Sequence, residues 1–472
     1  MRYAQTRRRQ ASTWRALRHA FLVLLGLFIV GTAYGTNYPL KVSSTNPRIL
    51  VDQDNVPFLM VGDSPQSPWA HLSPAEDAAY LANRARHGMN TLWIDVLTSP
   101  YVGGRSDSTL YDGAKPFTRM LPGTQFYDFN APNEAYFAYV DEAVRMAATN
   151  GILVMLGPLE TGALLPLARA NGVDRCRAYG QYLGQRYKDF PNIVWFHGND
   201  YENWDVETND AVTTAIALGI KDKDPNHLHT IELNYQSSCS LDDPNWARIA
   251  GLNLAYTYYP TYAEVLHGYN QSATTPVFMG EANYELEAQG AEDGGSPHVL
   301  RMQEYWTMLS GATGQLYGNH YTWTFVHGWQ TNLDTIGVKQ LRCMKDVFSG
   351  RKWYNLVPDQ AHTFVIAGYG HFVALAPAAA PGWPRLANND YVTAALTSDG
   401  TLGMAYLPQG GTITVDLSKL KNRIMAWWFD PTSDSSRMIC GSPFANAGAQ
   451  QFTTPGKNST GEPDWLLVLE AQ

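Results

Sequence analysis

The sequence predicts an α/β protein, a (β/α)8 TIM barrel followed by a small antiparallel β-sandwich. From residue 58 to about 348, short apolar runs alternate with helix-length amphipathic segments, the pattern of parallel strands covered on both faces. Eight such repeats fit the roughly 250 residues of a typical barrel of this kind, with room for insertions. Beyond residue 352 the segments become short and alternating, separated by Gly, Pro, Asn and Asp, which reads as a sandwich. Neither G-x-G-x-x-G nor G-x-x-x-x-G-K-[ST] follows the first strand, which argues against a doubly wound nucleotide-binding sheet.

The expected barrel strands are Phe58–Gly62, Thr91–Val96, Ile152–Gly157, Ile193–His197, His229–Leu233, Leu252–Tyr256, Val277–Gly280 and Gly314–Gly318. Ser73-Pro74-Ala75-Glu76 places Ser at an N-cap, Pro in the first turn and Glu three residues on, a capping box. Glu134–Asn150 repeats Tyr136, Val140, Val144 and Ala147 on one face and stops at Gly151. Asp174–Tyr187, Asp210–Lys221, His298–Ser310 and Val338–Phe348 are the remaining helices expected. Sandwich strands are expected at His362–Ala367, Tyr391–Leu396, Gly403–Leu407, Thr412–Leu417, Ile424–Phe429 and Trp465–Leu469, and Ala376–Pro384 is an Ala/Pro-rich loop.

The N-terminus has a different logic. Met1–Gly35 carries six Arg and no acid, then the apolar run Ala20–Val30 and small residues up to Gly35. This is the form of an export signal, and the run is short of the ~20 residues that span a bilayer. The expected organisation is therefore a signal peptide over 1–35, a catalytic barrel over 36–352 and a β-sandwich over 353–472. The mature protein is expected to be secreted or periplasmic, without stable membrane insertion once the signal is cleaved; an uncleaved anchor is the alternative.

Without that segment 28 basic residues face 43 acidic ones, a net charge of −15. Such a chain lacks the clustered Lys and Arg that bind nucleic acid. Only 16% of the 472 residues are charged while 12% are aromatic. Cys176, Cys239, Cys343 and Cys440 lie far apart with no C-x-x-C pair, which argues against a zinc site; no other metal and no cofactor is expected. One or two disulfides or four free thiols are both compatible with this spacing.

Barrel active sites lie at the C-terminal ends of the strands. There the sequence places Asp63, Asp95, Glu160, Asn199-Asp200, Asn234-Tyr235, Tyr256, Tyr258, Glu281 and Asn319-His320. Asp200 follows the fourth strand and Glu281 ends the seventh, so the two face each other across the mouth. Two such carboxyls, one protonated and one ionised, are what glycoside hydrolysis requires. Glu202 is a second candidate for the acid. Asp63, Asn199 and Glu160 are candidate sugar-binding residues, and Trp69, Tyr256, Tyr258, His320, Trp323 and Trp329 supply rings for stacking.

Residues 45–350 resemble the apiosidase-like glycoside hydrolases. The matching stretches are Pro57–Asp63, Tyr80–Arg84 with Gly88-Met89-Asn90, Asn133–Phe137, Leu183–Trp195 followed by Gly198-Asn199-Asp200, and Gly280-Glu281-Ala282-Asn283-Tyr284-Glu285. Leu356–Asp359, Ala405–Pro408, Trp428–Pro431 and Asp464–Leu469 resemble the β domain commonly attached to these enzymes, which carries a collagen-binding label. The resemblance implies a retaining glycosidase acting on plant pectic glycan, with Asp200 as acid/base and Glu281 as nucleophile. Asn199 and Tyr201 flank the acid where the family usually has Gly and often Arg, and Thr230-Ile231-Glu232-Leu233 replaces a common Thr-Tyr-His-Pro. These departures put a glycosidase for bacterial exopolysaccharide beside the pectic reading. A non-catalytic surface protein that binds carbohydrate or matrix is the alternative from another class.

Overall fold

The computed structural model describes residues 35–472 apart from 203, 235–236, 288–292 and 376–384. The expected signal segment, except Gly35, and the Ala376–Pro384 loop lie outside the described residues, as does Tyr235. Among the described residues no helix is long and apolar enough to cross a membrane, and all four cysteines are free thiols.

Eight parallel strands form the barrel: β1 Met60–Gln66, β2 Thr91–Asp95, β3 Leu153–Gly157, β4 Ile193–Gly198, β5 His229–Glu232, β6 Asn253–Thr257, β7 Val277–Glu281 and β8 Gly314–Tyr317. Their order is β5-β4-β3-β2-β1-β8-β7-β6, with a short antiparallel strand, Ser237–Cys239, outside β6. Every residue of the eight is buried, which explains their nearly unbroken apolar runs. Among the described residues no strand ladder joins β5 to β6. Ser240 closes that seam instead: its hydroxyl contacts the Ile231 main-chain oxygen at 2.5 Å and accepts the Leu254 N–H at 2.9 Å.

The longer helices are α1 Pro74–Arg86, α2 Glu134–Thr149, α3 Thr161–Tyr187, α4 Glu207–Lys221, α5 Thr261–Gln271, α6 Pro297–Leu309 and α7 Ile336–Ser349. The capping box at Ser73 and Glu76 forms as expected. Helix α3 starts thirteen residues before the expected Asp174, with a kink at Gly172 (φ 72°, ψ 171°). Helix α5 had no counterpart in the expected elements, because Pro260 at its N-cap offers no side-chain cap.

The C-terminal part has nine strands: β9 Leu356–Pro358, β10 Val365–Ala367, β11 Thr393–Thr397, β12 Leu402–Leu407, β13 Thr412–Asp416, β14 Ile424–Asp430, β15 Ser435–Met438, β16 Ala449–Thr453 and β17 Trp465–Ala471. They make a six-stranded sheet, β9-β11-β12-β17-β14-β15, and a three-stranded sheet, β10-β13-β16, antiparallel throughout. Phe364, Val392, Leu407, Val415, Trp428, Phe452 and Leu467 fill the space between them. The other face of the larger sheet packs on the barrel. Tyr391, Met404, Tyr406, Leu466 and Val468 share one apolar cluster with Leu300, Tyr305, Trp306 and Phe348, and the rings of Tyr305 and Tyr406 stack at 4.8 Å.

Candidate active site

Beyond β4 the chain turns sharply. Gly198, Asn199 and Asp200 have φ of 93°, 89° and 46°, three successive residues in left-handed backbone. Gly198 has no substitute here, since a Cβ would stand 2.0 Å from the main-chain oxygen of Glu232. For the two residues after it such conformations cost of order 1–3 kcal/mol each, a strain that clusters at functional sites. Asn199 and Asp200 emerge from this turn among the residues that line a cavity of about 260 Å³.

Gln66, Tyr101, Tyr258, Glu281, Tyr284, Glu287 and Trp323 also line that cavity. The Asp200 carboxylate accepts hydrogen bonds from Tyr101 (2.6 Å, to Oδ2) and Tyr256 (2.7 Å, to Oδ1). Glu281, at the end of β7, accepts from Tyr258 (2.7 Å, to Oε1) and Tyr284 (2.7 Å, to Oε2). The Tyr284 ring occupies the space that a side chain at Gly318 would need. Tyr256 and Tyr258 meet at 3.0 Å, so the two carboxyls are ends of one chain of hydroxyls.

That chain has three contacts and two hydroxyl protons. A proton on either carboxyl completes it, so one protonated and one ionised carboxyl is the state in which every contact is a hydrogen bond. Asn199 Nδ2 donates to Gln66 Oε1 at 3.1 Å, and Gln66 Nε2 donates to the Tyr284 hydroxyl at 3.3 Å. The amides thus tie the acid's loop to the tyrosine that holds Glu281.

Burial sets the electrostatics. It raises Asp200 above the ordinary carboxylate range. Burial, with the facing Asp200 charge, pushes Glu281 up to about 8. Burial also raises Asp95 and Glu232 above the ordinary carboxylate range. Glu281 therefore holds its proton more tightly folded than unfolded. Its share of stability is complete below its ordinary value of 4.5 and is lost as pH rises through about 8. Glu281→Gln, which cannot ionise, removes that loss: the melting temperature of the variant relative to wild type should rise between pH 5 and pH 8. An offset equal at both pH values would contradict the shift.

The expected residues divide. Asp200, Asn199, Glu281, Tyr258 and Trp323 line the cavity. Tyr256 is fully buried and serves through its hydroxyl, so it is a holder of Asp200 instead of a stacking platform. Asp63 is not a sugar ligand: its carboxylate is buried against Arg84 (2.6 Å) and Tyr80 (2.6 Å). Glu160 caps α3, accepting the Ala163 N–H at 2.9 Å. Trp69 and Trp329 are buried in the core between barrel and helices, where no sugar reaches them. His320 is exposed and outside the cavity lining, its ring edge-on to Tyr321. Glu202 is likewise exposed and outside the lining.

Gln66, Tyr101 and Glu287 went unrecognised in the sequence. Gln66 follows Asp63 by three residues, but β1 runs on past its apolar part to reach it. Tyr101 sits in a 3-10 turn, Pro100–Val102, inside a long connection with no periodicity.

Residues 44–355 match the family model described as "Apiosidase-like, catalytic domain", and residues 385–470 match one described as "Putative collagen-binding domain of a collagenase". A solved structure described as a glycoside hydrolase superposes with a TM-score of 0.77 at 22% identity, over 92% of this chain and 97% of its own. A glycoside hydrolase family 5 structure from Bacteroides vulgatus ATCC 8482 gives 0.75 at 22% identity, over 92% and 94%. At these identities the likeness is one of fold. A comparison with curated proteins finds no match. The protein is a glycoside hydrolase. It belongs to the apiosidase-like family, whose model covers most of the chain.

Proposed function

We propose that the protein is an exported, retaining glycosidase in which Asp200 is the acid/base and Glu281 the nucleophile. The observation that carries this reading is the pair of buried carboxyls after β4 and at the end of β7, joined through Tyr256 and Tyr258 in one cavity. Of the two proton placements that the hydroxyl chain allows, the reactive one has Asp200 protonated and Glu281 ionised: Asp200 gives its proton to the glycosidic oxygen while Glu281 attacks the anomeric carbon. Water then gives a proton to the ionised Asp200, its oxygen bonds to the anomeric carbon, and the bond to Glu281 breaks, which frees the sugar and restores both carboxyls. Tyr258 and Tyr284 orient the Glu281 carboxylate and stabilise its charge until attack.

Among the described residues, the cavity lining has no Lys, Arg or His and three carboxyls, Asp200, Glu281 and Glu287. This supports an uncharged sugar at the cleaved position, since a uronate there would meet like charge. Trp323 gives that sugar a ring to lie against. The substrate class follows the family reading, a plant pectic glycan, with bacterial exopolysaccharide as the competing source. The test is incubation with a panel of plant and microbial polysaccharides, with released sugars identified by mass and their first-formed anomer by NMR. Release of a neutral sugar with retained configuration is the expected result. Inversion, or no release from any member of the panel, would overturn the reading.

A further inference from the structure

The turn that carries Asp200 leans on the end of β5. Gly198 lies opposite Glu232 in the parallel register, and the Glu232 main-chain oxygen fills the place of a side chain at 198. The side chain of the same residue reaches the turn itself. Glu232 Oε2 accepts the main-chain N–H of Asp200 at 3.2 Å, at a residue whose φ of 46° lies outside sheet and helix geometry. Glu232 is only 1% exposed and does not line the cavity. Its second oxygen, Oε1, is buried and has no hydrogen-bond partner among the described residues.

We propose that Glu232 is a positioning residue, which fixes the left-handed turn at 198–200 through the Asp200 N–H and so aims the Asp200 carboxyl into the cavity. The proposal rests on the reading of Asp200 as acid/base. The groups whose charges reach Glu232 are the carboxyls of Glu281, Asp200 and Asp95, and Glu232 in turn acts on the hydroxyls of Tyr256 and Tyr284. Burial and these carboxylates favour its neutral form. A neutral carboxylic acid keeps a carbonyl oxygen for the Asp200 N–H, and that oxygen is what the role needs. Glutamine supplies the same oxygen in the same shape, whereas methionine fills the space without it.

The test uses the full chain and the panel polysaccharide from which wild type releases sugar. Glu232→Gln should keep kcat within about threefold of wild type. Glu232→Met should lose about 10- to 100-fold in kcat, with KM changed less than threefold, the scale expected when a catalytic group is misplaced. A Glu232→Met protein with wild-type kcat would overturn the proposal. So would a Gln variant that loses more than tenfold, which also decides the matter if the Met variant does not fold. Asp200→Asn run in parallel separates the failures. If it is inactive while Glu232→Met is fully active, only the positioning role falls; if it keeps full activity, the acid/base reading falls first.

Discussion

Under the proposed retaining mechanism, Glu281→Gln is expected to abolish turnover, lowering kcat by about 10⁴-fold or more, because the amide cannot form the covalent intermediate. The fold should survive intact. Gln keeps the carbonyl oxygen that accepts from Tyr258 or Tyr284 and removes a buried carboxyl that resists ionisation. Asp200→Asn should be milder, a loss of about 10²–10⁴, and milder still on an activated aryl glycoside whose leaving group needs no proton. This asymmetry separates nucleophile from acid. Equal losses on both substrates, or full activity in Glu281→Gln, would reverse or remove the assignment. Steady-state kinetics with both substrate types reads it directly.

Arg301→Met should cost about 3–5 kcal/mol of folding stability, the price of leaving one member of a buried ion pair alone. Arg301, on α6 of the barrel, meets Asp464 beside β17 of the sandwich. Nε to Oδ2 and Nη2 to Oδ1 are both 2.8 Å, and both side chains are buried, at 1% and 0% exposure. Tyr406 and Asn458 also donate to Asp464, at 2.9 and 2.8 Å. Without Arg301 those two bonds hold a buried carboxylate whose remaining basic neighbour among the described residues is His298, at 3.9 Å. The double variant Arg301→Met with Asp464→Leu should recover much of the loss, since the stranded charge goes with the second change. Urea unfolding of the two single variants and the double variant gives the coupling. A single variant within about 1 kcal/mol of wild type would mean that the pair does not hold barrel and sandwich together.

The strands were legible because burial on both faces left nearly continuous apolar runs, and all eight expected segments overlap an observed strand. The polar margins of the fold were not. Strand β15, Ser435–Met438, is exposed throughout, and four of the five residues of β16 are exposed or half-buried; neither shows the alternation that marks a half-buried strand. The start of α3 was hidden by Pro166, Asn171 and Gly172, which the kink at Gly172 absorbs.

At the site, Asp200 and Glu281 were readable because strand-end position in a barrel is a sequence property. Asp63 has the same position yet faces Arg84. A carboxylate at a strand end can point to the cavity or back between strand and helix, and only its partner decides. Arg84, twenty-one residues away on α1, is that partner.

The sequence alone determined the order of the barrel strands, the barrel class and the two facing carboxyls, because alternation and strand-end position are local in the chain. Tertiary structure alone decided how those carboxyls are joined. That depends on hydroxyls and amides from β1, the β2 loop, β6 and the segment after β7. Contacts between residues 66, 101, 199, 200, 256, 258, 281 and 284 have no local signature. They exist only once the barrel brings its strand ends together.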